Sequence, residues 1–178
     1  MPVSFLSTVL LGQYEAALGT LRDVIEQCPE QVWSGKAGNH PFSESAFHAL
    51  FFADVYLGES VEAVKDQEFH RAHAEQFEGY EELESRLPVR TYSPEFVLEY
   101  LRFCRAKATQ VLHASSQESL EGNTGIEWHD FSRAEMHVYN IRHLQHHAAQ
   151  LIMRLRLDSD IDIGWYRTGF DGPIRSEG

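Results

Sequence analysis

Residues 132–157 read SRAEMHVYNIRHLQHHAAQLIMRLRL, and this stretch decides the fold. It contains neither proline nor glycine, and Ser132 followed by Glu135 is a helix-capping pattern. Apolar residues recur at steps of three and four, which is typical of one face of an α-helix. This apolar stripe runs through Ile141, Leu144, Ala148, Leu151, Ile152 and Leu155. The pattern therefore predicts a long amphipathic helix, from Ser132 to about Leu157, that packs against other helices.

Three histidines lie within five positions of this helix. His143 and His147 are one turn apart, about 40° from each other around the axis, whereas His146 points to the opposite, wet side. Two imidazoles at this spacing can bind one metal ion. The spacing also arises by chance in a chain with 10 histidines among 178 residues. The position of the pair at the border of the apolar stripe favours metal binding, because imidazole nitrogens beside a core need partners.

A third candidate ligand lies in the segment from Pro41 to Leu57, where we expect a helix with Ser43 as its N-cap. His48 shares a face with large apolar residues of that helix, so it points inward. A single inward histidine more often bonds a carbonyl group or a water molecule. Together with the inward pair on another helix, convergence of His48, His143 and His147 on one ion is the better explanation.

Three neutral imidazoles suit Zn(II), Ni(II), Fe(II) or Mn(II). Neither cysteine belongs to the set, so we expect open coordination positions for water or substrate. An ion of this kind lowers the pKa of bound water or holds a thiol as thiolate, and the sequence does not separate hydrolysis from thiol transfer. Asn140 lies close to His143 and His147 around the helix axis and is the candidate for orienting substrate or a ligand. The alternative, a polar helix residue that bonds to a neighbour, fits the sequence equally well. Gln150 lies one turn beyond His147 and is expected to support its ring.

The rest of the chain predicts three further long helices. They span about Phe5 to Gln27, Ser43 to Leu57 and, after Ser93 as N-cap and Pro94 at the first position, up to about Ser115. The segment from Glu59 to Arg90 is acidic, and we expect a long crossover with short irregular helices. The prediction is an all-α four-helix bundle in one domain, residues 1–178, with its core from Phe5 to Leu157 and a tail over 158–178.

The sequence also predicts the environment of three other histidines and of the aromatic residues in the tail. His70 and His73 in the crossover are spaced so that they could bind a metal ion, but a solvated charged face is the favoured interpretation. His137 falls within the apolar stripe of the last helix and is interpreted as a core residue. The tail aromatics are expected to fold back on the bundle or against another copy of the chain; they are Trp165, Tyr166 and Phe170.

Two motifs resemble the DinB/YfiT-like family of four-helix bundles. They are AFHALFFAD at residues 46–54 and NIRHLQHHAAQ at residues 140–150. The resemblance implies an up-down-down-up helix order and a divalent metal bound by His48, His143 and His147. It also implies a metal-dependent hydrolase, or a transferase that uses a low-molecular-weight thiol, and a homodimer. Family members often read His-Arg-Gly-Gln where this chain has His147-Ala148-Ala149-Gln150, so that arginine is absent here.

Composition narrows the classes of function. The formal net charge is −12 and no basic run is present, which argues against a nucleic-acid-binding surface. The amino-terminal residues lack a signal-peptide pattern and cannot span a bilayer. Cys28 and Cys104 lie in unrelated contexts, which favours two buried thiols in a reducing, cytoplasmic compartment. We expect an enzyme that acts on a small molecule; the alternative is a non-catalytic metal-binding stress-response protein.

Overall fold

The computed structural model describes residues 4–37, 40–81, 89–170 and 172. Four long helices and several short elements follow one another along the chain. In order they are α1 (Phe5–Glu26), α2 (Glu30–Trp33), β1 (Lys36–Ala37), β2 (His40–Pro41), α3 (Phe42–Leu57), α4 (Val61–Lys65), α5 (Glu68–Ala72), α6 (Ala74–Phe77), α7 (Pro94–Ala114), α8 (Gln117–Glu121) and α9 (Arg133–Ser159). Residues 82–88 of the expected crossover and residues 171 and 173–178 of the expected tail lie outside the described residues.

The long helices form the bundle. Helices α1 and α3 each pack against both α7 and α9, and apolar side chains from all four helices make one core. The predicted all-α class is confirmed, and within the described residues the strands are only β1 and β2, an antiparallel pair. The up-down-down-up order of the helices stays a prediction.

The helix boundaries follow from capping. The side chains of Ser93 and Ser132 accept hydrogen bonds from the backbone amides of Phe96 and Glu135, so α7 and α9 begin where the sequence predicts. Helix α9 ends where Asp160 adopts a left-handed conformation with φ of 55°.

The start of α3 differs from the prediction. Its N-cap is Pro41, and Ser43 lies inside the helix. Ser43 is buried, and its hydroxyl accepts a hydrogen bond from the amide of Tyr92 at 3.3 Å. Its capping function is therefore replaced by a tertiary contact, and the helix begins directly after β2 with the buried Phe42.

The crossover contains the predicted short helices, but the prediction for His70 is wrong. His70 is 1% exposed and lies between two carboxylates: its Nε2 is 2.7 Å from Asp54 Oδ2 and its Nδ1 is 2.5 Å from Glu81 Oε1, both within hydrogen-bonding distance. The Tyr100 hydroxyl donates to the same Asp54 oxygen at 2.9 Å, and Lys107 forms an ion pair with the other. These five residues are the Asp54 network, and they attach the crossover to α3 and α7. His73 is half-buried, and its Nδ1 bonds to the carbonyl of Phe69.

The described part of the tail folds back on the bundle, as predicted. Tyr166 is buried, and its hydroxyl donates to Asp23 Oδ2 at 2.8 Å. Gly19 makes this approach possible, because a Cβ atom there would lie 2.7 Å from a ring carbon of Tyr166. Trp165, by contrast, is 65% exposed.

Two further predictions concern buried groups. His137 is fully buried and its Nδ1 forms a hydrogen bond with the Tyr14 hydroxyl at 3.1 Å, so it is a core residue as expected. Both cysteines are free; Cys104 is buried, but Cys28 is only half-buried, because it lies at the end of α1 beside a loop.

Candidate metal centre

His48, His143 and His147 come together between α3 and α9. One ring nitrogen from each residue lies within 4.8 Å of the others, so the set could hold a metal ion. The distances between ring centroids are 4.6 Å for His143 and His147, 4.9 Å for His48 and His147, and 5.9 Å for His48 and His143. We call this set the three-histidine group. No fourth histidine, cysteine or carboxylate joins it among the residues that the structure describes.

Aromatic side chains enclose one side of the group. The Phe52 ring lies 4.8 Å from that of His48 and 5.8 Å from that of His143, and the Tyr56 ring also lies 5.8 Å from His143. Phe52 follows His48 by one helical turn and Tyr56 follows by two, so α3 presents all three toward α9. This arrangement removes the imidazoles from most of their water.

The environment keeps the imidazoles neutral. Burial lowers the pKa of His48 to about 4 and that of His143 to about 3, and the neighbouring imidazoles act in the same direction. Burial also lowers the pKa of His147. Neutral imidazole is the form that binds metal, so all three rings offer a lone pair at neutral pH without first losing a proton.

The hydrogen bonds around the group fit a bound cation. His147 Nδ1–H donates to Gln150 Oε1 at 3.0 Å, which leaves the lone pair on Nε2, and the predicted support from Gln150 is confirmed. His143 Nδ1 is buried and has no hydrogen-bond partner among the described residues. A buried polar atom without a partner is costly, and a bound ion would remove that cost if Nδ1 were the nitrogen that binds it. The residues therefore fit a divalent ion.

Other candidates have different positions. Asn140 is buried on α9, and its side-chain amide donates to the carbonyl of Ala53 at 2.9 Å. It makes no hydrogen bond to the three-histidine group within the described part of the chain, and its orienting function stays a prediction. His146 is exposed, as expected, and its Nε2 accepts from Gln150 Nε2 at 3.0 Å.

Two further groups lie near the site: Glu44, which the sequence places one turn before His48 but to the side of it, and Tyr139, which was not predicted. Glu44 is buried, pairs with His40 Nδ1 at 3.0 Å and accepts a hydrogen bond from Tyr80, so its carboxylate is already occupied. Tyr139 lies beside Tyr56 at 5.3 Å and beside His129 at 4.8 Å, and forms an aromatic wall next to His143. Tyr139 precedes His143 by one helical turn, and this spacing could have predicted from the sequence that the two side chains lie together.

The fold and the site together define the class of this protein. It is an all-α helical bundle with a candidate metal centre, formed by three neutral histidines, between two of its long helices. The model of the DinB superfamily matches residues 13–151, which is most of the chain, and the chain belongs to that superfamily. Comparison with curated proteins and with solved structures gives no match. No described helix combines the length and apolar character that crossing a membrane requires.

Proposed function

We propose that this protein is a metal-dependent enzyme that acts on a small molecule, either as a hydrolase or as a transferase that uses a low-molecular-weight thiol. The observation that carries the proposal is the convergence of three neutral imidazoles with no fourth histidine, cysteine or carboxylate among the described residues. A structural zinc site is usually closed by four protein ligands, whereas three ligands leave a position for water or substrate.

His48, His143 and His147 would hold the ion, which we expect to be Zn(II), Ni(II), Fe(II) or Mn(II). When bound, such an ion supplies Lewis acidity, which favours the deprotonated form of a water or thiol and polarises a carbonyl group. Gln150 fixes the orientation of His147, while Phe52 and Tyr56 limit access of bulk water from the α3 side. Asn140 remains our candidate for orienting substrate or a ligand.

The alternative is a non-catalytic metal-binding stress-response protein, in which the same histidines only sense or store the ion. The cleft beside His143 favours the enzyme, because a substrate could reach the centre from that side. A metal-binding protein without turnover needs no such access.

Metal analysis tests the first part of the proposal. Purified protein is loaded with Zn(II) or Ni(II), passed through a desalting column and analysed for bound metal. We expect one ion per chain in the wild type and its loss in His143→Ala and His147→Ala, while His146→Ala keeps it. Unchanged stoichiometry in the first two variants would reject the site.

A substrate screen tests the second part. The loaded protein is assayed with ester and amide substrates, and separately with low-molecular-weight thiols plus an electrophile. Turnover that His48→Ala abolishes supports the enzyme, and the active arm identifies the reaction. Absence of turnover in both arms, with the metal bound, favours the binding protein.

We also propose a homodimer in a reducing, cytoplasmic compartment. Support for the dimer comes from exposed apolar side chains at the start of α1, where Phe5 is 86% exposed and Leu6 and Val9 are more than 40% exposed. Support for the compartment comes from the two free cysteines. Light scattering at micromolar concentration tests the homodimer, and a monomer would contradict that proposal.

A further inference from the structure

An open cleft of about 520 Å³ lies directly beside the three-histidine group. Its lining residues come from α9, and they are Tyr139, Arg142, His143, Gln145 and His146. His143 belongs both to this cleft and to the candidate metal centre. A molecule in the cleft would therefore lie next to a bound ion. We call it the Arg142 cleft.

The lining of the Arg142 cleft is rich in hydrogen-bond donors. A guanidinium, a phenol, a primary amide and two imidazoles face it, and no carboxylate is among the described lining residues. This is notable in a chain with 27 acidic and 15 basic residues, where an average surface would present carboxylates. The cleft therefore has the chemistry of an anion-binding site within an acidic protein.

Arg142 is exposed and makes no ion pair or hydrogen bond with any other residue in the described ranges. Two other helical arginines are paired: Arg105 contacts Glu15 at 2.8 Å and Arg156 contacts Asp162 at 2.6 Å, whereas exposed Arg102 resembles Arg142 in having no protein partner among the described residues. The guanidinium in the cleft is thus available to a ligand. Its planar fork can bind a carboxylate or phosphate through two parallel hydrogen bonds.

Two sides of the Arg142 cleft are held in place before a ligand arrives. Tyr139 packs against Tyr56 and His129, and His146 is held by its hydrogen bond with Gln150. Side chains that are already ordered lose little conformational entropy on binding. The cleft is therefore better prepared for a ligand than a set of freely rotating surface residues.

We infer that the Arg142 cleft binds an anionic group of the substrate, a carboxylate or a phosphate, and that Arg142 is the residue that contacts it. The inference rests on the proposed function only for its location beside the ion. It assigns a substrate class: small molecules that carry the reacting bond next to an anionic group.

Inorganic phosphate is the first probe and acetate the second, each titrated by calorimetry in a buffer free of other oxyanions. Both metal-free and Zn(II)-loaded protein are used, because phosphate can also bind an ion directly and the metal-free titration isolates Arg142. We expect wild-type protein to bind phosphate in both forms and Arg142→Gln to bind it at least tenfold more weakly in the metal-free form. Arg142→Lys should fall between them, since it keeps the charge but loses the fork.

Arg102→Gln is the matched control. Arg102 is likewise exposed on a long helix, α7, and is not part of the cleft, so this variant should bind phosphate as the wild type does. Thermal melts of all variants check folding. Three results would overturn the inference: equal affinity in Arg142→Gln and wild type, an equal loss in Arg102→Gln, or no binding of phosphate or acetate at about 10 mM, which is tenfold above a Kd of about 1 mM.

Measuring the metal content of each sample distinguishes failure of the anion site from failure of the proposed metal centre. Phosphate binding that depends on Arg142 in a protein that retains no ion after loading with Zn(II) would keep the anion site and reject the metal centre. A bound ion with phosphate affinity that does not depend on Arg142 would do the reverse.

Discussion

Two groups of histidines in this bundle have opposite surroundings. In the Asp54 network, each ring nitrogen of His70 forms a hydrogen bond with a carboxylate, and Asp54 is further bonded by Tyr100 and Lys107. In the three-histidine group, no carboxylate contacts any of the rings within the described residues, and His143 Nδ1 has no partner. The first group is satisfied by the protein itself, and the second is left for a ligand from outside.

This difference distinguishes a histidine that carboxylates hold from a group of histidines that no carboxylate holds. Burial alone would raise the pKa of Asp54, but the hydrogen bond from His70 and the charge of Lys107 outweigh it, and that pKa lies below its usual value. The carboxylate therefore stays ionised and holds its donors. The imidazoles of the three-histidine group are instead kept neutral by burial, with their lone pairs available. A set of neutral imidazoles that lacks some of its hydrogen-bond partners contributes little to the stability of the fold and suits a bound cation.

The largest effect is expected from breaking the Asp54 network. Asp54→Asn keeps the shape of the side chain but leaves Lys107 without its buried counter-charge. Removing one partner of a buried ion pair costs about 3–5 kcal/mol. We expect a decrease of that size in the free energy of unfolding of the metal-free protein, measured by urea denaturation.

Two controls define the contrast. Asp162→Asn removes an ion pair whose side chains are 50% and 67% exposed, and should cost about 1 kcal/mol or less. His143→Leu in the metal-free protein should also cost less than about 1 kcal/mol, because it removes a polar nitrogen that has no partner. If His143→Leu destabilises as much as Asp54→Asn, the two groups do not differ in the way we describe.

The second prediction concerns the metal itself. An ion that binds only the folded chain stabilises it by about 2.7 kcal/mol at a free concentration 100 times its Kd. Wild-type protein should gain this in Zn(II), as seen in thermal melts, and His48→Ala should gain almost none. The gain should be reversed by a chelator. Equal gains in both proteins would place the ion elsewhere.

The sequence was sufficient for the bundle and for the convergence of the histidines. Helix periodicity and serine caps act over three or four residues, so α7 and α9 could be located from local pattern alone. Likewise, His143 and His147 are on one helix, and their phase relative to the apolar stripe follows from helix geometry. Only His48 lies on a different helix, so its approach to the other two histidines could not be derived from the geometry of one helix.

The sequence was not sufficient for His70, because its partners are distant along the chain. Asp54 lies 16 residues before it and Glu81 lies 11 residues after it, and their meeting depends on how the crossover packs. A signal was present nonetheless. Asp54 is the one charged residue in the apolar run from Ala46 to Leu57, and a carboxylate in such a helix requires buried donors. The capping of α3 was missed for a similar reason, since Ser43 is used by Tyr92.

The third prediction uses His137, a buried histidine that belongs to neither group. Burial lowers its pKa to about 4, so between pH 6.5 and pH 4 the unfolded chain binds a proton that the folded chain does not. Its contribution to stability is thus complete above pH 6.5 and is lost as the pH falls. We expect it to reduce the free energy of unfolding by about 2 kcal/mol between pH 7 and pH 4.5.

His137→Gln isolates this contribution, because glutamine does not titrate and can still contact the Tyr14 hydroxyl. Its stability should depend less steeply on pH than that of the wild type, when both are measured by urea denaturation of metal-free protein. Parallel pH profiles for the two proteins would show that His137 is already protonated in the folded state, or that it is not shielded from water.

The smallest expected effect concerns the one protein contact that the three-histidine group does make. Gln150 accepts a hydrogen bond from His147 Nδ1–H, and this bond leaves the lone pair of that ring on Nε2. Loss of a residue that orients a metal ligand weakens binding by about 10–100-fold, and since Gln150 is exposed we expect the lower end for Gln150→Ala. Competition with a chromophoric chelator measures the affinity. His146→Ala is the control, because His146 bonds to the amide nitrogen of Gln150 and leaves the oxygen that faces His147 unchanged; its affinity should stay within about twofold of the wild type. If Gln150→Ala binds the ion as tightly as the wild type, the three rings are oriented by packing against Phe52 and Tyr56 alone, and the contrast with the fully bonded His70 becomes sharper still.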